Sequence, residues 1–270
     1  MNDSKSRDVE SSLAKPDIHQ QWIETYYQDE NEAISERVID RILGILNPPA
    51  ESIFLDAGCG ICADAILVAE RGFTVQAIDF SEAVLEIARK NVKANGLDDK
   101  ISIRRADILA LPFEDETFSH LLCLGVLMHI PALEVAISEL IRVLRPGGAL
   151  VISENNMYSL QSLALRSLRR LTGKQKRDAE RTSAGMEYWE TTSAGPLLTR
   201  QTDIRWLIGR FKTDGFTVKK RIASQFTDIH IPLSSQLLKN LIHGLNNVWF
   251  KYIGLPRLAL GNIVIVEKAD

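Results

Sequence analysis

Residues 52–65, SIFLDAGCGICADA, decide the fold of this chain. The apolar run at 52–57 is typical of a buried strand, and two glycines, Gly58 and Gly60, follow it at once. Helical spacing of apolar residues begins at Ala63. A glycine turn between a strand and a helix lets backbone N–H groups approach a ligand. The stretch therefore predicts a ligand-binding loop as well as two structural elements.

The alternation of strand and helix continues beyond this stretch. The pattern predicts helices at 63–70, 81–95 and 133–144, and further strands at 73–79, 101–105, 120–124 and 149–153. Such alternation is typical of a parallel sheet with helices on both faces, and right-handed crossovers make it doubly wound. Ligands of these sheets bind at the carboxyl ends of the strands. We therefore predict an α/β fold with its site at that edge.

The regular alternation of strand and helix ends after Glu154. The pattern predicts helices at 158–171, 202–212 and 233–253, an irregular stretch at 179–196, and late strands at 216–222 and 262–267. We interpret the chain as one sheet domain with an inserted cap. Its parts are a flexible tail (1–17), N-terminal helices covering the site (18–50), an α/β core (51–154), a helical or irregular insert that caps the substrate (155–201), and the end of the core fold (202–270) with its apolar helical insert at 233–253.

Composition excludes several classes of protein. A hydrophobic fraction of 45% with 25% charged residues is ordinary for a globular protein, and a net charge of −3 gives no reason to expect a nucleic-acid partner. Three cysteines cannot form a disulfide framework in 270 residues, which favours a reducing compartment. The polar start has no apolar segment of a secretory signal, and no apolar run has the length of a membrane span. We expect a cytoplasmic protein.

The paired cysteines, Cys59 and Cys62, raise the possibility of a metal or redox site. A structural metal site usually needs about four ligands, and no second Cys or His pair stands at a suitable spacing. A redox pair would sit at a helix N-terminus, as this pair does, but its surroundings do not resemble such a fold. We therefore expect no metal and take the glycines as the functional signal.

Acidic residues follow two further strands. Asp79 ends the strand at 73–79, where a carboxylate can accept hydrogen bonds from both hydroxyls of a ribose. Asp107 follows the strand at 101–105 and is placed to meet an adenine amino group. These residues indicate a nucleoside ligand. The spacing of Gly58, Gly60 and Ala63 also satisfies a variant of the nicotinamide fingerprint, so a dinucleotide stays open.

Four ordered segments make the resemblance specific: residues 53–60 (IFLDAGCG), 75–81 (VQAIDFS), 105–112 (RADILALP) and 140–148 (LIRVLRPGG). Together they resemble the motifs of class I S-adenosylmethionine-dependent methyltransferases, especially the small-molecule branch that includes quinone and natural-product methyltransferases. The resemblance implies a mostly parallel, seven-stranded Rossmann-like sheet. It also implies methyl transfer from S-adenosylmethionine to a small-molecule or lipid-like acceptor through an oxygen, nitrogen or carbon nucleophile.

The resemblance also implies cofactor-binding residues. Asp56 would lie near the methionine amino group, and the backbone of Gly58, Cys59 and Gly60 would surround the methionine moiety. Asp79 would bind the ribose. The residues implied to contact the adenine or close the pocket are Phe80, Asp107, Ile108 and the backbone of Leu124. The chain departs from the family at Cys62, where a third glycine is usual. A nicotinamide oxidoreductase and a non-catalytic cofactor-binding module remain the rival interpretations.

Residues on the acceptor side are less clearly marked. His129 follows the fourth strand at the ligand edge, where it is either a general base or a residue that packs on the helix after Pro131. The aromatic residues are lid or substrate-contact candidates, and for the first three an ordinary packed face is favoured: Trp22, Tyr26, Tyr27, Tyr188 and Trp189.

A basic run at 166–181 is either a solvated face, which the pattern favours, or a contact with an anionic substrate or a membrane surface. The apolar stripe at 233–253 either packs on the sheet, which we expect, or forms a wall for a lipid-like acceptor. Nothing in the sequence indicates the oligomeric state.

Overall fold

The computed structural model describes residues 29–173, 179–192, 195–227 and 236–270. Its helices are α1 (Asp29–Leu46), α2 (Ala63–Glu70), α3 (Glu82–Ala94), α4 (Leu133–Val143), α5 (Leu160–Leu171), α6 (Ile204–Thr213) and α7 (Gln236–Val248). Its strands are β1 (Ile53–Ala57), β2 (Thr74–Asp79), β3 (Ile101–Arg105), β4 (Phe118–Leu124), β5 (Leu144–Asn155), β6 (Ala179–Arg181), β7 (Gly185–Thr192), β8 (Gly195–Thr202), β9 (Phe216–Gln225) and β10 (Gly261–Lys268). A 3₁₀ turn spans Leu127–His129, and a π turn spans Trp249–Ile253. The predicted tail and the lid candidates Trp22, Tyr26 and Tyr27 lie outside the described residues.

Seven strands form one doubly wound sheet, which confirms the predicted fold class. Their order is β3-β2-β1-β4-β5-β10-β9, and the first five strands run parallel. β10 runs antiparallel to both of its neighbours, β5 and β9. The sheet therefore differs at this end from the standard dinucleotide-binding sheet, in which the sixth strand directly follows the fifth in space. The parallel order brings the carboxyl ends of β1, β2 and β4 to one edge.

The core lies on both faces of this sheet. On one face, α1, α2 and α3 cover the sheet, with Ile39, Phe54 and Leu85 all fully buried. On the other, α4 and α6 pack through Ile137 and Phe211. Central strands buried on both sides have apolar residues at successive positions, which is why they stand out in the sequence.

The prediction that residues 179–196 are irregular is wrong. β6, β7 and β8 form a separate three-stranded antiparallel sheet, and β7 pairs with β8 from Gly185–Thr202 to Thr192–Gly195. β8 carries a charged residue, Arg200, at a buried position, so the sequence shows no clear apolar alternation. Thr202, expected to begin a helix, ends β8 instead, and Asp203 caps α6 by accepting from Arg205 N (3.0 Å).

The prediction that the apolar stripe at 233–253 packs on the sheet is also wrong for the side chains that the structure describes. Leu241 and Val248 of α7 are 58% and 50% exposed. None of the described helices combines the length and hydropathy that crossing a membrane requires. The helical period of the sequence was correct, but it does not say which side of the helix packs.

Candidate functional site

The loop after β1 forms a backbone cradle at the carboxyl edge of the sheet. Gly58 and Gly60 have positive φ values, 83° and 52°, which residues with a Cβ atom rarely adopt. A Cβ on Gly58 would lie 2.4 Å from Cγ2 of Val126, so the position has no room for one. The N–H groups of Gly58 and Cys59 both donate to the carbonyl of Ile78 at 2.8 Å. The loop after β1 is thereby fixed against the end of β2.

Asp79 ties this loop to the next one. Its Oδ2 accepts from Gly60 N (3.2 Å) and its Oδ1 accepts from Ser81 N (2.9 Å). Ser81 occupies the N-cap position of α3, but its hydroxyl makes no capping hydrogen bond. The carboxylate of Asp79 therefore organises both the glycine loop and the start of α3.

Asp56 is a buried carboxylate at the same edge. It is 3% exposed, and its Oδ2 has no hydrogen-bond partner among the described residues. Burial raises the pKa of Asp56 well above its ordinary value, and the charges of Asp64 and Asp79 raise it further. Burial also raises the pKa of Asp64 to about 6. Three carboxyl groups with a buried, unpaired oxygen among them form a place where a bound cation is favourable.

The loops after β2 and β3 lie side by side. Arg105 Nε donates to the carbonyl of Phe80 (3.0 Å), and Phe80 is half-buried. Ile108 is buried, whereas Asp107 is exposed and its Oδ1 accepts from Leu109 N at 2.9 Å. The hydrogen bond of Asp107 shapes its own turn, and the exposed carboxylate keeps further acceptor capacity. Leu124 ends β4 and is half-buried beside the cradle.

His129 lies in the 3₁₀ turn that follows β4. Its Nδ1 lies 2.7 Å from the carbonyl of Leu198 in β8. A carbonyl can only accept, so Nδ1 carries the proton and the neutral ring has its lone pair on Nε2. Burial lowers the pKa of His129 below its ordinary 6.5, the charge of Arg200 adds to this, and the Leu198 carbonyl opposes it. The ring is therefore neutral near pH 7. The N-cap position of the next helix is Ala132.

Arg200 fixes the small sheet to the His129 turn. It is 1% exposed, and it donates to the carbonyls of Leu127 (2.9 Å) and Ile130 (3.1 Å) on either side of His129. Its Nη2 and Nε also donate to Oε1 of Glu187, at 2.8 and 3.0 Å. The planar guanidinium group has five N–H donors, so it can hydrogen-bond two main-chain carbonyls and one carboxylate at once.

Glu154 is a second buried acid, near the carboxyl end of β5. It is 2% exposed; Thr202 Oγ1 donates to its Oε2, and its Oε1 has no partner within the part of the chain that is described. Burial raises the pKa of Glu154 to about 7. β4 lies between β1, which carries Asp56, and β5, which carries Glu154, and both acids act on the Cys123 thiol of β4 by raising its pKa.

The paired cysteines are buried thiols. A hydrogen bond with the Cys62 thiol and burial together raise the pKa of Cys59 well above its ordinary value. A thiol that resists ionisation is a poor nucleophile and a poor metal ligand. Cys62 occupies the N-cap position of α2 with φ 65°, the left-handed conformation that the family's usual glycine adopts without strain.

Comparison with known proteins identifies the domain that carries this cradle. A family model described as a methyltransferase domain matches residues 55–152. Residues 55–152 form a class I S-adenosylmethionine-dependent methyltransferase domain. The cradle, Asp56, Asp79, Asp107 and His129 all lie within it.

Two characterised relatives resemble this methyltransferase domain. Methyltransferase GfsG of Streptomyces halstedii is 35% identical over 120 residues, which cover 44% of this chain and 43% of the relative. The 27-O-demethylrifamycin SV methyltransferase of Amycolatopsis mediterranei is 34% identical over 133 residues, covering 48% and 49%. The alignments thus span less than half the length of either relative.

Solved structures show that the fold extends beyond the methyltransferase domain. A SAM-dependent methyltransferase from Methanosarcina mazei superposes with a TM-score of 0.57 at 18% identity, over 82% of this chain and 94% of the other. The similarity therefore extends well beyond the 98 residues of the matched range 55–152.

Sequence analysis did not identify three residues that the structure places in or near the methyltransferase domain. Glu154 is the penultimate residue of the parallel strand β5, so the strand-end rule that singled out Asp79 would have pointed to it. Asp64 carried a weaker signal, an acid in the first turn of α2. Arg200 carried none, because only the small sheet buries it.

The two aromatic candidates in the insert lie on opposite faces of the small sheet. Trp189 pairs with Leu198, and Glu187 pairs with Arg200, so all four share the face toward the His129 turn. Tyr188 lies on the other face, where its hydroxyl donates to Oε1 of Gln201 (3.4 Å). Trp189 therefore lies on the face of the small sheet toward the His129 turn, and Tyr188 lies on the face away from it.

Proposed function

We propose that this chain is an S-adenosylmethionine-dependent methyltransferase acting on a small or lipid-like organic acceptor. The observation that carries the proposal is the unpaired, buried Oδ2 of Asp56 beside the glycine cradle. The methionine moiety of the cofactor carries an ammonium group, a cation that would pair with the buried Asp56 carboxyl group. A bound ammonium would also relieve the repulsion among Asp56, Asp64 and Asp79.

The other cofactor contacts follow from the same edge of the sheet. The oxygens of Asp79 accept from Gly60 N and Ser81 N, and a carboxylate oxygen can accept a second hydrogen bond, here from a ribose hydroxyl. Phe80 and Ile108 offer apolar surface to an adenine, and Asp107 an acceptor for its amino group. Gly58, Cys59 and Gly60 would surround the methionine moiety, and the backbone of Leu124 would close the pocket.

The protein's contribution to the reaction is geometry and proton removal. When bound, S-adenosylmethionine supplies the methyl electrophile and leaves as a neutral thioether. The chain must hold the acceptor atom in line, at about 3 Å from the methyl carbon, and exclude water. Nε2 of His129 accepts the proton that the acceptor releases as the new bond forms. The lowered pKa of His129 keeps the ring neutral at neutral pH, the form that a general base requires.

The insert at 155–201 acts as the cap over the acceptor. Leu198 holds His129 through its carbonyl, and Trp189 lies on the same face of the small sheet. An aromatic ring at this position suits an acceptor with an apolar body. Acceptor selection would then depend on the insert, because the core fold does not specify a substrate.

A nicotinamide oxidoreductase is the main alternative. The antiparallel β10 between β5 and β9 disfavours it, because the dinucleotide-binding sheet lacks this insertion. A non-catalytic cofactor-binding module is the other alternative, and it predicts binding without turnover.

Calorimetric titration with S-adenosylmethionine, S-adenosylhomocysteine and NAD tests the proposal. We expect saturable binding of both sulfur compounds, loss of that binding in Asp79→Ala, and none of NAD. Asp99→Ala is the matched control, since this exposed acid lies in the turn before β3 at the opposite edge of the sheet. Binding of NAD alone would refute the proposal, and turnover assays with small hydroxyl or amine acceptors separate an enzyme from a binding module.

A further inference from the structure

Helix α5 turns its leucines toward solvent and its polar residues toward the protein. Leu168 and Leu171 are 56% and 85% exposed, whereas Ser162 is 1% exposed. Ser162 Oγ donates to the carbonyl of Asn156 (3.2 Å), and Arg166 donates to the carbonyl of Met157 and to Oε1 of Gln201. A surface helix of a globular protein normally has the reverse arrangement. The outward leucines of α5 are therefore not explained by packing within the described part of the chain.

Helix α7 shows the same inversion. Leu245 and Val248 are 47% and 50% exposed, while Asn246 is 4% exposed. Oδ1 of Asn246 accepts from the backbone N–H groups of Phe226 (2.6 Å) and Thr227 (3.1 Å). The polar side of α7 thus anchors the helix to the protein, and its apolar side faces outward.

The two helices belong to one continuous surface. Thr227 contacts both, because its backbone N–H reaches Asn246 and its hydroxyl donates to Gln161 of α5. The start of α5 also bonds to the segment after the π turn, since Leu160 N donates to the carbonyl of Leu258 (3.1 Å). We name the outward side of residues 160–171 and 241–255 the leucine surface. It holds eleven of the thirteen large hydrophobic side chains that are exposed in the described residues.

The leucine surface is also basic. The stretches 155–173 and 236–260 contain no Asp or Glu, in a chain that has 35 acids and 32 Lys and Arg residues. Within them Arg170, Lys251 and Arg257 are exposed, whereas the guanidinium of Arg166 points to the protein. An apolar surface whose own stretches carry exposed cations and no acids is complementary to a layer of anionic head groups over acyl chains.

A groove with two arginines borders the leucine surface. It encloses about 560 Å³ and is lined by Ile208, Arg221, Leu255, Pro256, Arg257 and Leu258. Burial and the charge of Arg257 lower the pKa of Arg221 to about 10, and the charge of Asp203 opposes this. A phosphate group between the two guanidinium groups would remove their repulsion, and the apolar wall beside them would accept a hydrocarbon chain.

We propose that the leucine surface docks on a bilayer that contains anionic phospholipids, with a lipid phosphate near Arg221 and Arg257. Helices α5 and α7 would lie in the plane of the interface, because neither is long and apolar enough to cross it. A second copy of the chain is a poorer occupant, since a symmetric contact would bring the same positive charges together. The proposal does not rest on the transfer of a methyl group.

Flotation of the full chain with vesicles tests the proposal. The probes are vesicles of phosphatidylcholine alone and of an equimolar mixture with phosphatidylglycerol. We expect binding to the mixed vesicles that weakens as salt is added, and little binding to the neutral ones. Arg170→Gln and Arg257→Gln should each lower the partition coefficient about fivefold. Lys90→Gln and Lys93→Gln, at exposed positions of α3, are the matched charge controls.

Leucine variants test the apolar part of the contact. Leu168→Ser and Leu245→Ser should each lower vesicle binding about tenfold. Val135→Ser is the control, because Val135 is 48% exposed but lies on α4, away from the surface. These side chains are exposed, so the melting temperatures should stay unchanged and unfolding cannot explain a loss of binding.

Three outcomes would overturn the proposal. Absence of binding to anionic vesicles at low salt refutes it directly. Self-association that Leu168→Ser abolishes, without vesicle binding, would make a second copy the occupant. Hydrogen exchange in α5 that is already slow without vesicles, and that vesicles do not change, would mean that residues 1–28 or another part of the chain cover the surface.

Discussion

The imidazole of His129 is held by the main chain of Leu198, with Nδ1 2.7 Å from the carbonyl oxygen. The two residues are 69 positions apart and belong to different parts of the fold, the 3₁₀ turn after β4 and strand β8 of the insert. The contact fixes the tautomer of the ring, because only a protonated Nδ1 can donate to the carbonyl. The insert therefore sets the proton-accepting atom of the proposed base.

His129→Gln should lower kcat about a hundredfold or more with an acceptor that must lose a proton. In the wild type, activity should fall as the pH drops through the pKa of His129, which lies below 6.5, and the variant should lack this acidic limb. The pH profile of kcat measures both effects. His120→Gln is the control, because His120 stacks on Phe54 in the core. An unchanged acidic limb in His129→Gln would show that another group is the base.

Arg200→Met should destabilise the protein by about 3–5 kcal/mol, because it leaves the Glu187 charge and two buried carbonyls without their donor. Replacing both members of the pair, Arg200→Met with Glu187→Met, should cost less than Arg200→Met alone, since the uncompensated charge is gone. Urea denaturation of the two single variants and the double variant gives the coupling energy. Strictly additive losses would contradict a direct interaction.

Gly58→Ala should cost about 2–4 kcal/mol, from left-handed backbone strain and from the contact with Val126. Val126→Ala in the same chain should restore part of the loss by removing the contact. Gly96→Ala is the control, because Gly96 also has a positive φ of 66° but has no atom within 4 Å of the added Cβ. It should show the strain alone, about 1–2 kcal/mol. Thermal denaturation of the three variants checks this.

Asp56→Asn should stabilise the unliganded protein at neutral pH and weaken cofactor binding more than tenfold. The pKa of Asp56 is raised in the folded state, so the ionised carboxylate opposes folding above the pKa of the unfolded chain, and this cost grows as pH rises. Asparagine removes the cost and also the charge that would hold an ammonium. Denaturation at about pH 5 and pH 8, with calorimetry of S-adenosylmethionine, measures the two effects. Full cofactor affinity in the variant would exclude Asp56 from the site.

Glu154→Gln should change the pH dependence of stability. Burial raises the pKa of Glu154 from 4.5 to about 7, so the wild type loses stability as pH rises through this window. The variant should therefore gain about 3 kcal/mol relative to the wild type between roughly pH 4 and pH 8. A constant difference between the two stability curves would show that Glu154 has the same pKa in the folded and unfolded chain, and so that burial does not raise it.

The sequence by itself determined the sheet and the cofactor side of the site. Strands buried on both faces are continuous apolar runs, and the helices between them repeat apolar residues at their own period, so both are visible locally. The carboxyl ends of parallel strands share one edge, which is why Asp56, Asp79 and the glycines at 58 and 60 were expected together and lie together.

Only the tertiary structure decided the acceptor side and the outer surface. The small sheet forms because Arg200 finds Glu187 and two carbonyls of a distant turn, and no local pattern records such partners. The period of α5 predicted an amphipathic helix, but a period cannot tell which side packs. Ser162 and Arg166 find buried hydrogen bonds on the inner side, and their bonds leave the leucines outside.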